Sequence, residues 1–340
     1  MSDIMKESNL PNQSDPEVDP ADNRQGPVIH VAPSPHIKDT KGDTQKMMTD
    51  VIIGLLPVVI VSVYLFRLYA VKQLVICILS CLAAEYLFVR MRGRASTLWD
   101  CSAVVTGIIL ALSLPGSAPW FVGVIASAVA MGIGKIIFGG LGMNIFNPAM
   151  VGRAFVMIAF AQLMGAGSYE NMTGLVDAVS GATPLSALKF SGMAVEIPRL
   201  FWGNTNGSIG ETSAAACLLG GLFLVSRKTA SWQIPLSILL TVAVIAGITD
   251  LAGGHSGGFL IHHLFGGALL FAAFFIATDP VTSPLTAKGK WVFGMGTGLL
   301  IMILRLFSGY PEGVMFAVLM MNAVTPLINR WTNPQPMGEA

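Results

Sequence analysis

From residue 50 onward the chain is a succession of long apolar blocks separated by short polar breaks. Ten blocks stand out, at 50–67, 72–90, 100–115, 119–138, 148–164, 211–226, 233–252, 258–278, 291–308 and 313–329. A helix needs about 20 apolar residues to cross a hydrocarbon core about 30 Å thick. Several of the blocks hold only about 16 to 18, near the lower limit for crossing. The pattern predicts an all-α polytopic membrane protein with about ten transmembrane helices, some of them broken or re-entrant and packed inside protein.

The blocks divide into two sets of five. Each set has an apolar helix ending near proline, at Ser113-Leu114-Pro115 and at Thr278-Asp279-Pro280. Each then has a glycine-rich helix and a turn before its last block, at Gly139-Gly140-Leu141-Gly142 and at Ser308-Gly309-Tyr310-Pro311. Five crossings per set would invert the second set relative to the first, and inverted repeats enclose a central site formed by discontinuous helices. The expected layout is a polar N-terminal tail over 1–47, a first membrane half over 48–164, a loop over 165–210, a second membrane half over 211–330 and a short tail over 331–340.

Composition narrows the class further. Of 340 residues, 53% are hydrophobic and only 11% charged, and the mean hydropathy is +0.68. A soluble domain carries about 25% charged residues, so this chain has too little charge to coat a water-facing surface. Lipid is the expected surround. The net charge of +1 argues against nucleic acid as a partner. Residues 1–49 carry no apolar run, which is unlike a signal peptide and like a solvated tail. Cys77, Cys81, Cys101 and Cys217 lie in apolar stretches without paired spacing, which reads as packing rather than metal or disulfide chemistry.

Lysine and arginine orient the map. With the N-terminus inside, fourteen of the twenty basic residues fall in inner segments, five in outer ones, and Arg153 within a block. The inner short loops are the basic ones, Arg90-Met91-Arg92-Gly93-Arg94, Arg227-Lys228 and Lys288-Gly289-Lys290. Both termini are therefore expected in the cytoplasm, and the 165–210 loop on the outer face.

Charges inside apolar blocks come next, because a bilayer makes them expensive unless they face protein or water. Glu85 is the deepest acid and a candidate for an ion path; its alternative is a structural pair with Arg153 or Lys135. Asp100 and Asp279 sit near block ends, where they could serve the ion path or simply cap or end a helix. Adjacent His262 and His263 point about 100 degrees apart on a helix and cannot both face one iron. The outer loop holds Asp177-Ala178-Val179-Ser180-Gly181-Ala182-Thr183-Pro184-Leu185-Ser186. Gly181 and Ala182 leave room for a bulky group, and free backbone N–H groups in such a turn can cradle phosphate. An ordinary surface turn with Pro184 opening a helix explains the same residues.

The stretch from Asp177 to Thr183 matches the D-x-x-S-G-A-T pattern at which flavin transferases attach FMN to threonine. Three further stretches carry the same resemblance, Gly139 to Gly152 (GGLGMNIFNPAMVG), Ala277 to Thr282 (ATDPVT) and Ser308 to Leu319 (SGYPEGVMFAVL). From about residue 45 to 335 the chain resembles the RnfD family, the D-type membrane component of the Rnf electron-transport complex. That family is related to NqrB of the sodium-pumping NADH:quinone oxidoreductase.

The resemblance implies FMN joined to Thr183 by a phosphoester, with Asp177, Ser180, Gly181 and Ala182 as the motif around it. Ser186 is the fallback attachment site. It also implies a second, noncovalent flavin, riboflavin, for which Asn144 to Gly152 is a candidate wall, a helix break for packing being the alternative. The implied setting is the bacterial inner membrane, in an ion-translocating complex of ferredoxin:NAD+ oxidoreductase type that moves Na+ or H+. The implied partners are Rnf subunits of the A, B, C, E and G types and a flavin transferase. The chain has no nucleotide-binding fingerprint and no iron–sulfur cysteine set, so it would not be catalytic alone. A transporter or channel without redox chemistry is the other class the repeat pattern allows, and a flavin-attachment motif has no use there.

Overall fold

The computed structural model describes residues 41–93, 97–164, 183–192, 194–203, 205–253, 259–309 and 313–333. Helices dominate: α1 (Lys41–Phe66), α2 (Leu68–Met91), α3 (Ser102–Ser113), α4 (Trp120–Ile136), α5 (Pro148–Ala159), α6 (Ala214–Ser226), α7 (Gln233–Gly253), α8 (Phe259–Phe265), α9 (Leu269–Ile276), α10 (Ala287–Phe307) and α11 (Val314–Thr332). Among the described residues there is no strand, only an isolated bridge between Pro115 and Ser208. Each apolar block of the sequence falls on one of these helices, with α8 and α9 sharing the block at 258–278.

Among the described residues five helices, α1, α2, α7, α10 and α11, are long and apolar enough to cross a membrane, and the pair α8–α9, bent by 49°, makes a sixth candidate. The most apolar windows of the five are only 33 to 44% buried. Outward faces carry Ile60, Tyr64, Leu79, Ile248, Leu251 and Phe307, all exposed. Water would not tolerate so much contiguous apolar surface; hydrocarbon does. The remaining helices are shorter. At 12 residues each, α3 and α5 span about 18 Å, too little for a core about 30 Å thick.

The breaks have local causes. Leu114 turns extended ahead of Pro115, ending α3. The backbone thereby freed is satisfied inside the protein: Ile209 N–H donates to the Leu114 carbonyl at 3.1 Å and Gly210 N–H to the Leu112 carbonyl at 2.7 Å. Asn147 starts α5 by accepting from Met150 N–H, with Pro148 at the first helical position. Between α4 and α5, Gly139, Gly140 and Gly142 take positive φ values of 128°, 110° and 91°, which L side chains avoid. Ser213 and Thr286 cap α6 and α10 in the same manner as Asn147.

The two halves meet where α1 crosses α6. A Cβ built on Gly220 would lie 1.9 Å from the Gly54 carbonyl oxygen, so the backbones touch. In a bilayer such packing is what holds helices together.

Two ends of the bundle are recognisable by their contacts. At one, Arg227 pairs with Asp50 at 3.2 Å, Lys290 donates to Ser231 at 2.7 Å and Thr286 to Thr332 at 2.7 Å. At the other, Ser62 bonds the Ile209 carbonyl at 2.7 Å, and Lys189 reaches the Arg305 carbonyl at 2.7 Å.

The helical boundaries revise the sequence map at its edges. α1 begins at Lys41 rather than 48, so the last residues of the expected tail are helical. Extending an existing helix costs little once it is nucleated, and Lys, Gln and Met favour it. α11 continues to Thr332, and α5 breaks at Phe160 before a further helical turn, Ala161–Met164, that carries the block to its expected end.

Candidate functional site

Thr183 opens a short helical segment, Pro184–Ser186, which continues as a π turn over Ala187–Ser191. It is 2% exposed. Its hydroxyl oxygen accepts the Ser186 N–H at 3.3 Å and lies 2.9 Å from the Ser186 hydroxyl. The two hydroxyls weighed as attachment sites are thus neighbours, and an ester on one would leave the other as the only donor of the pair. Asp177, Ser180, Gly181 and Ala182 lie outside the described residues.

The segment sits on the break between α8 and α9. Leu185 lies over Gly266 and Gly267, whose added Cβ atoms would meet it at 3.3 and 2.7 Å. Beneath it, buried Arg305 donates to the His263 carbonyl at 2.5 Å and the Gly266 carbonyl at 3.1 Å, and the Lys189 ammonium also donates to the Ser308 carbonyl. His262 Nε2 lies 2.7 Å from the Val195 carbonyl, and the His263 ring packs on Phe259 at 4.3 Å. Protein contacts thus occupy both imidazoles.

At the opposite end, a cleft lies between the halves. Its walls include Met47, Met48 and Val51 of α1, Ser102 and Thr106 of α3, Lys135 of α4, and Asn144, Asn147 and Pro148 before and at α5. The other half contributes Leu224, Thr229, Phe275, Thr278, Asp279 and Pro280. The room inside it is about 70 Å³. That is well below ligand pockets of about 300–1,000 Å³, so the cleft is a slit whose walls must part to admit a bulky ligand.

Two stretches singled out in the sequence, 139–152 and 277–282, close on each other here. Asn147 Nδ2 donates to the Ile276 carbonyl at 3.4 Å, and Asn147 N–H to Asn322 Oδ1 at 3.2 Å. Asn322 in turn donates to the Thr282 carbonyl at 3.2 Å. Asn144 is 5% exposed; its amide donates to the Phe146 carbonyl, and its Oδ1 has no hydrogen-bond partner among the described residues.

The three candidate acids group around this cleft. Glu85 Oε1 accepts from Lys135 Nζ at 2.5 Å and from the Thr97 hydroxyl at 2.7 Å. The Lys135 ammonium also donates to the Ser102 hydroxyl at 2.6 Å. Ser102 donates from both its N–H and its hydroxyl to Asp100 Oδ1, at 2.8 and 2.5 Å. Glu85 and Asp100 are thereby joined through Lys135 and Ser102. Lys135 is the partner of Glu85, while Arg153 lies apart, beside Met157, Ala268 and Gly313. Asp279 sits on the cleft wall, three residues beyond α9. Burial raises its carboxyl above the usual carboxylate range, against hydrogen bonds from Val281 N–H and the Thr282 hydroxyl.

A model of the NQR2, RnfD, RnfE family matches residues 30–338. The chain belongs to this family. Its relatives are D-type subunits of ion-translocating complexes. It is 42% identical over 315 residues to that of the Na+-translocating ferredoxin:NAD+ oxidoreductase complex of Acetobacterium woodii, covering 91% of this chain and 95% of that one. It is 39% identical over 324 residues to that of the proton-translocating ferredoxin:NAD+ oxidoreductase complex of Clostridium ljungdahlii, covering 92% and 96%. The D-type component of the ion-translocating oxidoreductase complex of Actinobacillus succinogenes is 37% identical over 349 residues, covering 92% and 98%. Relatives named for different ions thus resemble this chain almost equally.

Within this family member, sequence reasoning passed over Asn322. Its signal was available: an asparagine in the middle of an apolar helix, 1% exposed, must find partners in the protein. The role of Lys135 was open in the same way, since its partner lies fifty residues away.

Proposed function

We propose that this chain is the flavin-carrying membrane component of an ion-translocating complex of ferredoxin:NAD+ oxidoreductase type. The observation that carries the reading is the D-A-V-S-G-A-T stretch ending at Thr183, in a chain similar over nearly its whole length to the D-type component of such complexes. Thr183 would hold FMN by a phosphoester, with Asp177, Ser180, Gly181 and Ala182 recognised by the attaching transferase.

A second, noncovalent flavin, riboflavin, would sit at the cleft, whose walls part to admit it. A slit suits a flat ring, and the unpartnered Asn144 Oδ1 suits a ring or ribityl donor. Asn144, Asn147, Thr106 and Thr278 would hold its polar edge, and Phe275 its face. Bound flavin supplies one- and two-electron transfer; the chain supplies position and charge. Asn147 and Asn322 keep the cleft walls in register by tying the two halves together.

The topology follows the same reading. Ten passes, five per half with the second half inverted, would take the five long helices and the α8–α9 pair together with the four shorter apolar helices α3, α4, α5 and α6, the short ones completed by irregular backbone packed inside protein. Basic residues favour the cleft end as cytoplasmic, with both termini there and Thr183 on the outer face of a bacterial inner membrane. Rnf subunits of the A, B, C, E and G types would deliver and collect electrons.

The test is covalent flavin itself. Protein made together with a flavin transferase should give a band fluorescent under ultraviolet light after denaturation, and Thr183→Val should abolish it. Mass spectrometry of the peptide containing Thr183 should show the added FMN. A chain that stays dark in the presence of an active transferase would instead favour a transporter or channel without redox chemistry.

A further inference from the structure

Lys135 occupies two environments at once. Its side chain is 3% exposed and its ammonium is bound to Glu85, itself 1% exposed. Yet Lys135 also lines the cleft between the halves, together with Ser102. Of the charged groups joined to Glu85, Lys135 is the one among the described residues that line the cleft, where Asp279 stands on the facing wall. Lys135 lies in the π-helical turn Ala130–Ile136 at the end of α4. Such turns shift the backbone hydrogen-bond register and recur at functional sites.

The partner carboxylate is only half satisfied. Glu85 Oε1 takes the ammonium and the Thr97 hydroxyl, while Oε2 has no hydrogen-bond partner among the described residues. The groups facing it are Lys135 from α4, Thr97 and Ser102 from the α2–α3 connection and α3, and Cys81 one turn back on α2. With Glu85 and Asp100 ionised and Lys135 protonated, the cluster carries one net negative charge. A buried carboxylate that loses its only cation must acquire another or be neutralised by a proton.

We propose that Lys135 is a charge relay between the cleft and Glu85: negative charge arriving in the cleft draws the ammonium away, and Glu85 then takes up one monovalent cation. The inference rests on the cleft being the second flavin's site. The balance is one for one. One electron, delivered by the reductant of the proposed complex, adds one negative charge beside Lys135. The ammonium turns toward it, and one Na+ or H+ from the cleft end neutralises Glu85. When the electron leaves for the next acceptor, the ammonium returns and expels the cation. Lys135 is a positioning residue here, because its charge stays on the chain throughout.

The test uses the whole complex, with the wild-type chain and with Lys135→Met, Lys135→Arg and the double variant Glu85→Gln/Lys135→Met. Noncovalent flavin is measured after acid extraction, and its midpoint potential is titrated against Na+ at fixed pH and against pH at fixed Na+. In the wild type the potential should rise with one of the two cations, and which one identifies the cation. Lys135→Met should lower the one-electron equilibrium constant at least tenfold, about 59 mV, and remove the cation dependence. Lys135→Arg should keep both properties. The double variant leaves no lone buried charge, so it should fold even where Lys135→Met does not, and it should also lose the dependence. A wild-type complex without noncovalent flavin overturns the cleft reading and the relay with it. Flavin present in all variants, with unmoved potential and unchanged cation dependence, overturns the relay alone, as does a wild-type potential indifferent to both cations.

Discussion

Gly220→Ala is the sharpest probe of how the two halves are joined. The new methyl would sit 1.9 Å from the Gly54 carbonyl oxygen and 2.8 Å from Cζ of Phe275. A phenyl ring can swing aside, but the Gly54 carbonyl belongs to the α1 backbone and moves only with its helix. Because real Cβ atoms essentially never come within 3.0 Å of another heavy atom, α1 and α6 must part by roughly 1 Å. A gap of that size forfeits about a quarter to a half of each facing dispersion contact. Lipid provides no hydrophobic compensation between helices. Overpacking costs about 1–3 kcal/mol, and a backbone clash belongs at the top of that range. Alanine returns about 1 kcal/mol of helix propensity, leaving a net loss of about 2 kcal/mol. Thermal unfolding in detergent should therefore shift down by several degrees. Gly247→Ala on α7 is the control. Its Cβ would meet only Leu260 Cδ1, at 3.5 Å, so it should be neutral or stabilising by about 0.5–1 kcal/mol. Because Met48 and Val51 of α1 and Leu224 of α6 wall the cleft, noncovalent flavin content should fall with Gly220→Ala and hold with Gly247→Ala. A Gly220→Ala protein that melts with the parent would refute the close crossing.

Other expectations follow from the same contacts. Glu85→Ala should destabilise by about 3–5 kcal/mol, because Lys135 is left as an uncompensated buried charge; Glu85→Gln/Lys135→Met should cost much less, and additive losses in an unfolding cycle would contradict the pairing. Ser186→Ala should leave the fluorescent band intact, since Ser186 only hydrogen-bonds Thr183; a dark band there, with a bright one in Thr183→Val, would move the attachment site. Asp279 has a raised folded pKa through burial, so its contribution to stability is fully present below the ordinary value of 3.8 and is lost as pH rises through the folded value. Asp279→Asn should accordingly be more stable than the parent at neutral pH, with the difference shrinking on acidification in pH-dependent melts.

The hydropathy pattern determined the helices because it is a local property. A run of apolar side chains must bury its own backbone polar groups, and a helix does so within the run. That is why the ten blocks coincide with helices, and why Pro115 and Pro148 mark a helix end and a helix start. The motif ending at Thr183 was equally legible, being seven consecutive residues, as were the acids Glu85, Asp100 and Asp279, conspicuous for lying in or beside apolar blocks. Which of them act together was not. Glu85 had two basic candidates, and only the packing of α2 against α4 brought Lys135, fifty residues away, to 2.5 Å. Asn147 and Ile276 meet across 129 residues, and Gly54 meets Gly220 through the crossing of α1 and α6. These contacts depend on how helices from different halves lie against each other, a choice made by side-chain shape and small residues at each crossing. Hydropathy is silent on that choice, because every lipid-compatible arrangement buries the same apolar runs equally well; the cleft, and the lysine standing between it and Glu85, exist only once the halves have closed.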